Sequence, residues 1–233
     1  MGLTRVFFSF IFLLTFSLNS FSQKMIFPSW DGFAGSWQVG VTIGPDFYYG
    51  DLNMTRAGIS HNVSAAGGLL VVWQVNNIFG IRSEFLVGGL AGTKVLNGAD
   101  TIPNPYFRGA FSDLTCSASF DFTNIFLKYR PFRKVHVYGL AGVGIIGWSS
   151  TSYSGGVSLA SGQNASIVFP FGIGASYTFQ NRLNLGIEYT TRMVLSDKFD
   201  MLEGNMDNFD FINYLSFWVS VNIQQLKSFF RRY

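Results

Sequence analysis

The stretch from residue 183 to residue 192 reads LNLGIEYTTR, and apolar and polar side chains alternate along it. A period of two predicts a β-strand whose side chains point to opposite faces. One face would hold Leu183, Leu185, Ile187 and Tyr189, and the other Asn184, Gly186, Glu188, Thr190 and Arg192. An acid and a base on one face would not be tolerated by lipid, so that face is expected to point inwards.

The same alternation recurs near residues 37 and 79. In the first segment Trp37, Val39, Val41 and Ile43 alternate with Gln38, Gly40, Thr42 and Gly44. In the second segment Phe79, Ile81, Phe85 and Val87 alternate with Gly80, Arg82, Glu84 and Gly88. Further strands are predicted over 63–75, 115–129, 135–148, 166–179 and 213–223. We therefore expect an all-β fold: an eight-stranded antiparallel transmembrane β-barrel with its strands within about 36–223.

The composition favours a membrane protein that crosses with strands. Charged residues make up 12% of the chain and aromatic residues 18%, whereas charged residues are roughly 25% of an average soluble domain. Beyond the first residues there is no uninterrupted apolar stretch of the roughly 20 residues that a membrane helix needs. A length of 233 residues suits one barrel domain.

The N-terminus predicts export through the general secretory pathway. Arg5 precedes an apolar run over 6–18, which the small-x-small pattern of Ser20 and Ser22 follows. This is the pattern of a signal peptide, here 1–22. The barrel domain would then be 23–233, with a short periplasmic tail over 224–233. The protein is expected to be an integral protein of the outer membrane. Cys116 is the single cysteine, so no internal disulfide is expected.

The connections between the predicted strands are of two kinds. Tight turns are predicted at 76–77, 130–134 and 180–182, and the other four connections are predicted to be long and polar. Short turns in the periplasm and long loops outside are typical of outer-membrane barrels.

The charges are expected to separate between the two ends. Candidate contacts for a periplasmic partner are Arg130, Arg133, Lys134, Arg182, Arg231 and Arg232. The acids assigned to the outer loops are Asp46, Asp51, Asp100, Asp113, Asp197, Asp200, Glu203, Asp207 and Asp210. The net charge of +3 is too small to indicate nucleic acid. Membrane lipid and lipopolysaccharide are the expected surroundings.

The interior of so small a barrel is filled by side chains and is not an open pore. Arg82, Glu84, Glu188 and Arg192 are expected to form a polar network in the lumen, with Gln38 and Lys128 as further candidates, because buried charges need partners. A structural role is the favoured interpretation of this network.

No enzyme activity, cofactor or metal site is predicted. Gly142, Gly144 and Gly147 satisfy the spacing of a dinucleotide-binding loop, but no helix or ribose-binding acid follows. His61 and His136 lie in different regions and cannot share a metal. Ser60, His61 and Asp51 are the only nearby candidates for the nucleophile, base and orienting acid of a hydrolase. Three such residues are commonplace in a polar loop, so they do not indicate an enzyme. The acids over 197–210 lack the spacing of a calcium loop.

Several of these segments resemble a family of small outer-membrane barrels that includes PorG, a component of the type IX secretion system. The resemblance covers WQVGVTIG at 37–44, YGDLN at 49–53, GIR at 80–82, VFPFGIG at 168–174, and parts of 181–200. The family usually has Asp-Tyr-Leu-Asp where this chain has DKFD at 197–200. The resemblance implies an assembly or scaffold component of an envelope secretion complex that contacts periplasmic subunits. The alternative is an autonomous surface barrel, similar to OmpX or OmpA, with adhesive or membrane-stabilising loops.

Overall fold

A computed structural model describes residues 35–49, 63–93, 106–127, 133–179, 183–196 and 210–223. The predicted signal peptide and tail lie outside the described residues. So do four of the candidate partner contacts, Arg130, Arg182, Arg231 and Arg232, together with Lys128, His61 and most of the acidic loop over 197–210.

Eight strands close into an antiparallel barrel in sequence order. The strands are β1 (Ser36–Tyr49), β2 (Val63–Gln74), β3 (Phe79–Thr93), β4 (Tyr106–Asp121), β5 (Val135–Ser154), β6 (Val157–Phe179), β7 (Leu183–Val194) and β8 (Asp210–Asn222). Each strand pairs with the next, and β1 pairs with β8, where Gln38 lies opposite Asn222 and Tyr49 opposite Phe211. The prediction of an eight-stranded antiparallel barrel is confirmed.

In the barrel, the apolar residues of each alternating segment form the outer wall, and the residues between them point into the interior. On β1 the side chain of Ile43 is 68% exposed, whereas that of its neighbour Thr42 is 3% exposed. On β7 Ile187 is exposed and Glu188 is buried. Because successive side chains of a strand point to opposite faces, the period of two assigned these residues correctly.

We call the two ends of the barrel the turn end and the loop end. The turn end carries the connections 75–78, 122–134 and 180–182, and the loop end carries 50–62, 94–105, 155–156 and 195–209. The predicted difference in length between the two ends holds for five of these seven connections and fails for two, 122–134 and 155–156.

The first exception is the connection between β5 and β6, which was predicted to be a long polar loop and is a two-residue turn. Gly155 and Gly156 adopt φ angles of 59° and 81°, as the hairpin turns that match strand twist require. Residues 149–154 and 157–165 are therefore strand and not loop. Their Ser and Thr content suggested a loop, but a strand that extends beyond the apolar wall is exposed to water and carries polar side chains.

The second exception is the connection between β4 and β5. The sequence predicted a strand over 115–129 and a tight turn at 130–134, but β4 ends at Asp121 and a short helix, α1 (Phe122–Phe126), follows. The carboxylate of Asp121 accepts a hydrogen bond of 3.1 Å from the backbone N–H of Asn124, which caps the helix. Among the described residues no helix has both the length and the apolar character needed to cross a membrane.

Three acids that were assigned to outer loops lie inside the barrel. Asp46, Asp113 and Asp210 are 1–2% exposed, and all three belong to strands. The prediction was wrong for them because β1, β4 and β8 extend further towards the loop end than their apolar alternation does.

Two glycines leave space for the large side chains of the lumen. A Cβ atom at Gly186 would lie 2.3 Å from Cε2 of Trp218, and one at Gly174 would lie 2.5 Å from Cζ of Tyr138. The pattern of Gly142, Gly144 and Gly147 lies within β5 and not at a strand-to-helix turn.

The space at Gly186 predicts a specific cost of substitution. Gly186→Ala is expected to displace Trp218 and lower the free energy of unfolding by about 1–3 kcal/mol, as overpacking does. The matched control is Gly147→Ala, where the nearest atom, the carbonyl oxygen of Asn164, is 3.9 Å away. Urea unfolding of both variants in lipid vesicles measures the difference, and equal stability of the two variants would contradict the assigned packing.

Candidate functional site

The centre of the lumen is crossed by a chain of charged side chains. Arg82 donates to Glu84 at 3.1 Å and also to Glu188. Arg192 donates to Glu84 at 3.0 Å and to Asp113 at 2.8 Å. Acids and bases therefore alternate in the order Glu188, Arg82, Glu84, Arg192, Asp113. The structure brings the four predicted lumen residues together and adds Asp113.

Two aromatic side chains extend this chain on the side of Glu188. The hydroxyl of Tyr138 donates to Oε2 of Glu188 at 2.6 Å, and Nε1 of Trp218 donates to the hydroxyl of Tyr138 at 2.9 Å. Thr190 donates to Oε1 of Glu188 at 3.0 Å. We call these seven linked residues the lumen network: Glu188, Arg82, Glu84, Arg192, Asp113, Tyr138 and Trp218.

The sequence contained signals for the residues that it missed. Tyr138 lies between the outward-facing Val137 and Gly139, so its position in β5 points it inwards. Asp113 could have been found only with β4 in its correct position, because the sequence assigned it to a loop.

An uncharged polar layer lies on the turn-end side of the network. Oε1 of Gln38 accepts hydrogen bonds from Nδ2 of Asn184 at 3.0 Å and from the hydroxyl of Ser220 at 3.1 Å. Oδ1 of Asn184 accepts one from Thr178 at 2.8 Å. Gln38 was a candidate member of the charged network, and the structure places it in this amide and hydroxyl layer.

The loop-end half of the lumen is filled by apolar side chains. We call this group the apolar plug: Tyr48, Ala66, Leu86, Leu90, Phe107, Phe111, Ile146, Trp148, Val168, Val194, Ile212 and Tyr214. The rings of Tyr48 and Phe107 pack edge to face at 5.1 Å. The hydroxyl of Tyr48 donates to Asp210 at 2.7 Å, which gives this buried acid a partner. The lumen is thus charged at its centre and mostly apolar towards the loop end, where Asp46 and Asp210 are also buried.

A cavity of about 120 Å³ occupies the turn-end part of the lumen. Arg82, Tyr138 and Trp218 of the lumen network line it, together with Arg133 and His136 nearer the turn end. Arg133 is therefore a lining residue of this cavity as well as a candidate partner contact. Lys134, the other described candidate contact, is exposed at the turn end.

His136 and Asp121 form a pair at the edge of this cavity, and two serines also line it. Nδ1 of His136 lies 2.6 Å from Oδ2 of Asp121, as in a Ser-His-Asp triad. Nε2, which a triad directs at its nucleophile, instead lies 3.1 Å from the carbonyl oxygen of Arg133. Asp121 also accepts hydrogen bonds from Thr123 and Asn124. The pair therefore fastens α1 and the start of β5 to the barrel and does not activate a serine.

Within the described ranges no three or more histidine, cysteine or acidic side chains are grouped in a way that could hold a metal ion. Cys116 lies on the outer wall as a free, exposed thiol.

No protein-family model and no curated protein matches this chain. Solved structures that are similar to it include Ail, the attachment invasion locus protein of Yersinia pestis, in complex with the heparin analogue sucrose octasulfate. Ail is 11% identical, with a TM-score of 0.47 over 81% of this chain and 99% of that chain. Neisserial surface protein A is 13% identical, with a TM-score of 0.49 over 79% and 96% of the two chains.

The N-terminal β-barrel domain of Pseudomonas aeruginosa OprF is 12% identical, with a TM-score of 0.45 over 81% of this chain and 98% of that chain.

The charged centre of the lumen network predicts strong coupling between its members. Arg192→Met leaves Asp113 and Glu84 without their shared partner and should cost about 3–5 kcal/mol of stability, the usual cost of breaking a buried ion pair. Adding Asp113→Leu should make the double variant more stable than the sum of the single effects predicts, by about 1–3 kcal/mol. Urea unfolding of the four proteins measures this coupling.

The control for this cycle combines Arg192→Met with Val219→Ala, a substitution on the outer wall. These two effects should add. If Arg192→Met and Asp113→Leu add as well, the two side chains are not coupled.

Proposed function

We propose that this chain is a non-enzymatic, non-conducting barrel that spans the outer membrane of a bacterium and serves as a binding scaffold. The observation that carries the proposal is the combination of an apolar outer wall with a lumen closed by the lumen network and the apolar plug. The wall suits lipid, and the filled lumen leaves the two ends of the barrel as its working surfaces.

The outer wall supports membrane insertion. Three isoleucines on three different strands are 63–68% exposed: Ile43, Ile145 and Ile173. Exposure of this apolar surface is unfavourable in water, and contact with lipid removes that cost. Towards the turn end, Trp37 and Trp73 stack with ring centroids 5.8 Å apart. Aromatic residues of this kind occupy the membrane interfaces of outer-membrane barrels.

The filled lumen supports a non-conducting role. A solute that entered from the turn end would meet Arg82 and Glu188, both at most 5% exposed. It would then meet the apolar plug, whose aliphatic and aromatic side chains stabilise an ion poorly. Passage would require breaking buried ion pairs and displacing packed aromatic rings.

The finer role that we propose is that of an assembly subunit in an envelope secretion complex of the type IX, PorG-like kind. The support is the resemblance of the sequence together with the turn end, which would face the periplasm. Lys134 is exposed there, and Arg133 lies beside it. Phe126 of α1 is 80% exposed at the same end, next to the exposed Leu127. Basic and apolar side chains together suit a protein contact.

A second role, an autonomous surface-binding barrel, is favoured by the hairpin of β5 and β6. Its strands continue to the turn at Gly155 and Gly156, and β6 pairs with β7 only from Val168 onwards. The hairpin therefore extends past the end of β7. It carries Ser, Thr, Asn and Gln side chains and no charged residue between Ser149 and Ser166, a composition suited to hydrogen bonding with an uncharged polar ligand.

Membrane insertion predicts a cost for charge that depends on depth. Ile173→Arg, in the apolar wall of β6, should lower the free energy of unfolding in lipid vesicles by about 2–4 kcal/mol, and Gln163→Arg should cost at most about 1 kcal/mol. Gln163 is the matched control because it lies on the same strand and the same face, ten residues nearer the loop end. Equal costs at both positions would contradict a lipid-facing wall.

The same vesicles also test the closed lumen. When loaded with a small fluorescent dye, vesicles that contain the wild-type barrel should retain the dye as well as protein-free vesicles do. Rapid release of the dye would show a conducting lumen and overturn the scaffold proposal.

The two finer roles predict different partners at the two ends. A photo-crosslinking residue at Lys134 should capture a periplasmic or outer-membrane secretion subunit if the assembly role is correct. Joining Ser150 to Gly162 through Gly-Gly, which removes the hairpin tip, should leave that capture and protein secretion unchanged. If secretion persists when the whole chain is deleted and surface binding is lost with the tip, the surface-binding role is correct and the assembly role is wrong.

A further inference from the structure

Arg108 is the only charged side chain on the outward face of the eight strands as described. It is exposed and has the same parity on β4 as the outward-facing Leu114 and Cys116, whereas Phe107 and Asp113 point inwards. The other charged residues within the strands point into the lumen or lie at the turn end. A cation on a wall otherwise free of charge requires a solvent or a ligand that favours it.

The position of Arg108 along β4 places it beyond the apolar wall. Phe120, the last outward-facing residue of β4 before α1, lies at the turn end. Twelve residues separate it from Arg108, which is about 40 Å along a strand and about 30 Å along the barrel axis at a tilt of about 40°. The apolar band of an outer-membrane barrel is about 25 Å tall. Arg108 therefore lies just above the far edge of the band, at the level of lipid headgroups.

Two tyrosines lie beside Arg108 on the same outward face. Tyr106 and Tyr153 are opposite each other on β4 and β5, and their rings stack with centroids 5.1 Å apart and planes at 13°. Cζ of Arg108 lies 5.8 Å from the centre of the Tyr106 ring. The described residues place no carboxylate within ion-pair distance of Arg108. Among the described residues the guanidinium is thus held by an aromatic ring and by no acid.

We propose that Arg108, Tyr106 and Tyr153 form a binding site for the phosphate-bearing headgroup of an outer-leaflet glycolipid. This site rests on the proposed position of the barrel in the outer membrane. The planar guanidinium matches a phosphate group with two parallel hydrogen bonds. The tyrosine rings offer apolar faces to sugar rings and hydroxyls to their oxygens.

A glycolipid fits this place better than a phospholipid does, for a reason of geometry. Its acyl chains would lie on the apolar wall below, beside the exposed Ile145 and Leu114, and its headgroup would lie over the small outward-facing residues Ala110 and Ser112 between that wall and Arg108. Its sugars would then reach the stacked rings at the height where β4 and β5 extend past the apolar band. A glycerol headgroup has no sugar ring to pack on the tyrosine rings.

The experiment titrates the folded full-length barrel in detergent with bisphosphorylated lipid A, with its phosphate-free counterpart and with phosphatidylglycerol. Native mass spectrometry measures the bound fraction, and a chelator keeps divalent ions from bridging phosphates. Wild-type protein should prefer bisphosphorylated lipid A to the other two lipids. Arg108→Gln should weaken that binding about tenfold, as expected for the loss of a charge-assisted pair, and Arg108→Lys should retain part of it.

The matched control is Ser112→Ala, on the same strand and the same outward face, which should bind as wild type does. Tyr153→Ser should weaken binding of lipid A and leave the weak binding of phosphatidylglycerol unchanged. Equal binding by Arg108→Gln and wild type, or equal binding of the phosphate-free lipid or of phosphatidylglycerol, would overturn the proposal. Each variant is first shown to be a folded barrel by its heat-dependent gel mobility. A wild-type barrel that does not insert into vesicles would refute the membrane proposal instead, so the two failures are distinguishable.

Discussion

The pairing of β1 with β8 is the interaction on which the rest of the structure depends. Without it the sheet would have two open edges, and each unpaired backbone group in lipid would cost several kcal/mol. Closure from Gln38 opposite Asn222 to Tyr49 opposite Phe211 removes those edges. It also fixes the width of the barrel, since eight strands enclose a space that side chains largely fill.

Closure determines what the lumen can contain. Its two buried arginines lie between three acids, because a charge excluded from water must be matched within a few ångströms. The larger rings of Tyr138 and Trp218 fit only where Gly174 and Gly186 leave room. The apolar plug completes the filling towards the loop end. The interior therefore maintains the shape of the barrel and leaves its outer surface and its two ends accessible.

The sequence predicts the wall of this protein better than its ends. Inside the apolar band, every second residue lies on the outer wall, so the period of two identified β1, β3 and β7 and pointed Arg82, Glu84, Glu188 and Arg192 inwards, as the structure has them. Beyond the band both faces of a strand are polar, and the pattern that marks a strand is lost. For that reason the hairpin at Gly155 was predicted to be a loop, and Asp113 was assigned to solvent. Asp121 is a helix cap that the sequence could have revealed. The alternation before it instead led to a strand being predicted as far as residue 129.

The lumen network also constrains how the chain reaches its native state. Arg82 and Glu188 are separated by 106 residues in sequence and Glu84 and Arg192 by 108, so these contacts form only after β7 has taken its place. A shift of β7 by one residue would point Arg192 outwards and leave Asp113 without its ion-pair partner in the interior. A mispaired barrel would therefore carry an electrostatic penalty, which favours the native register of β7.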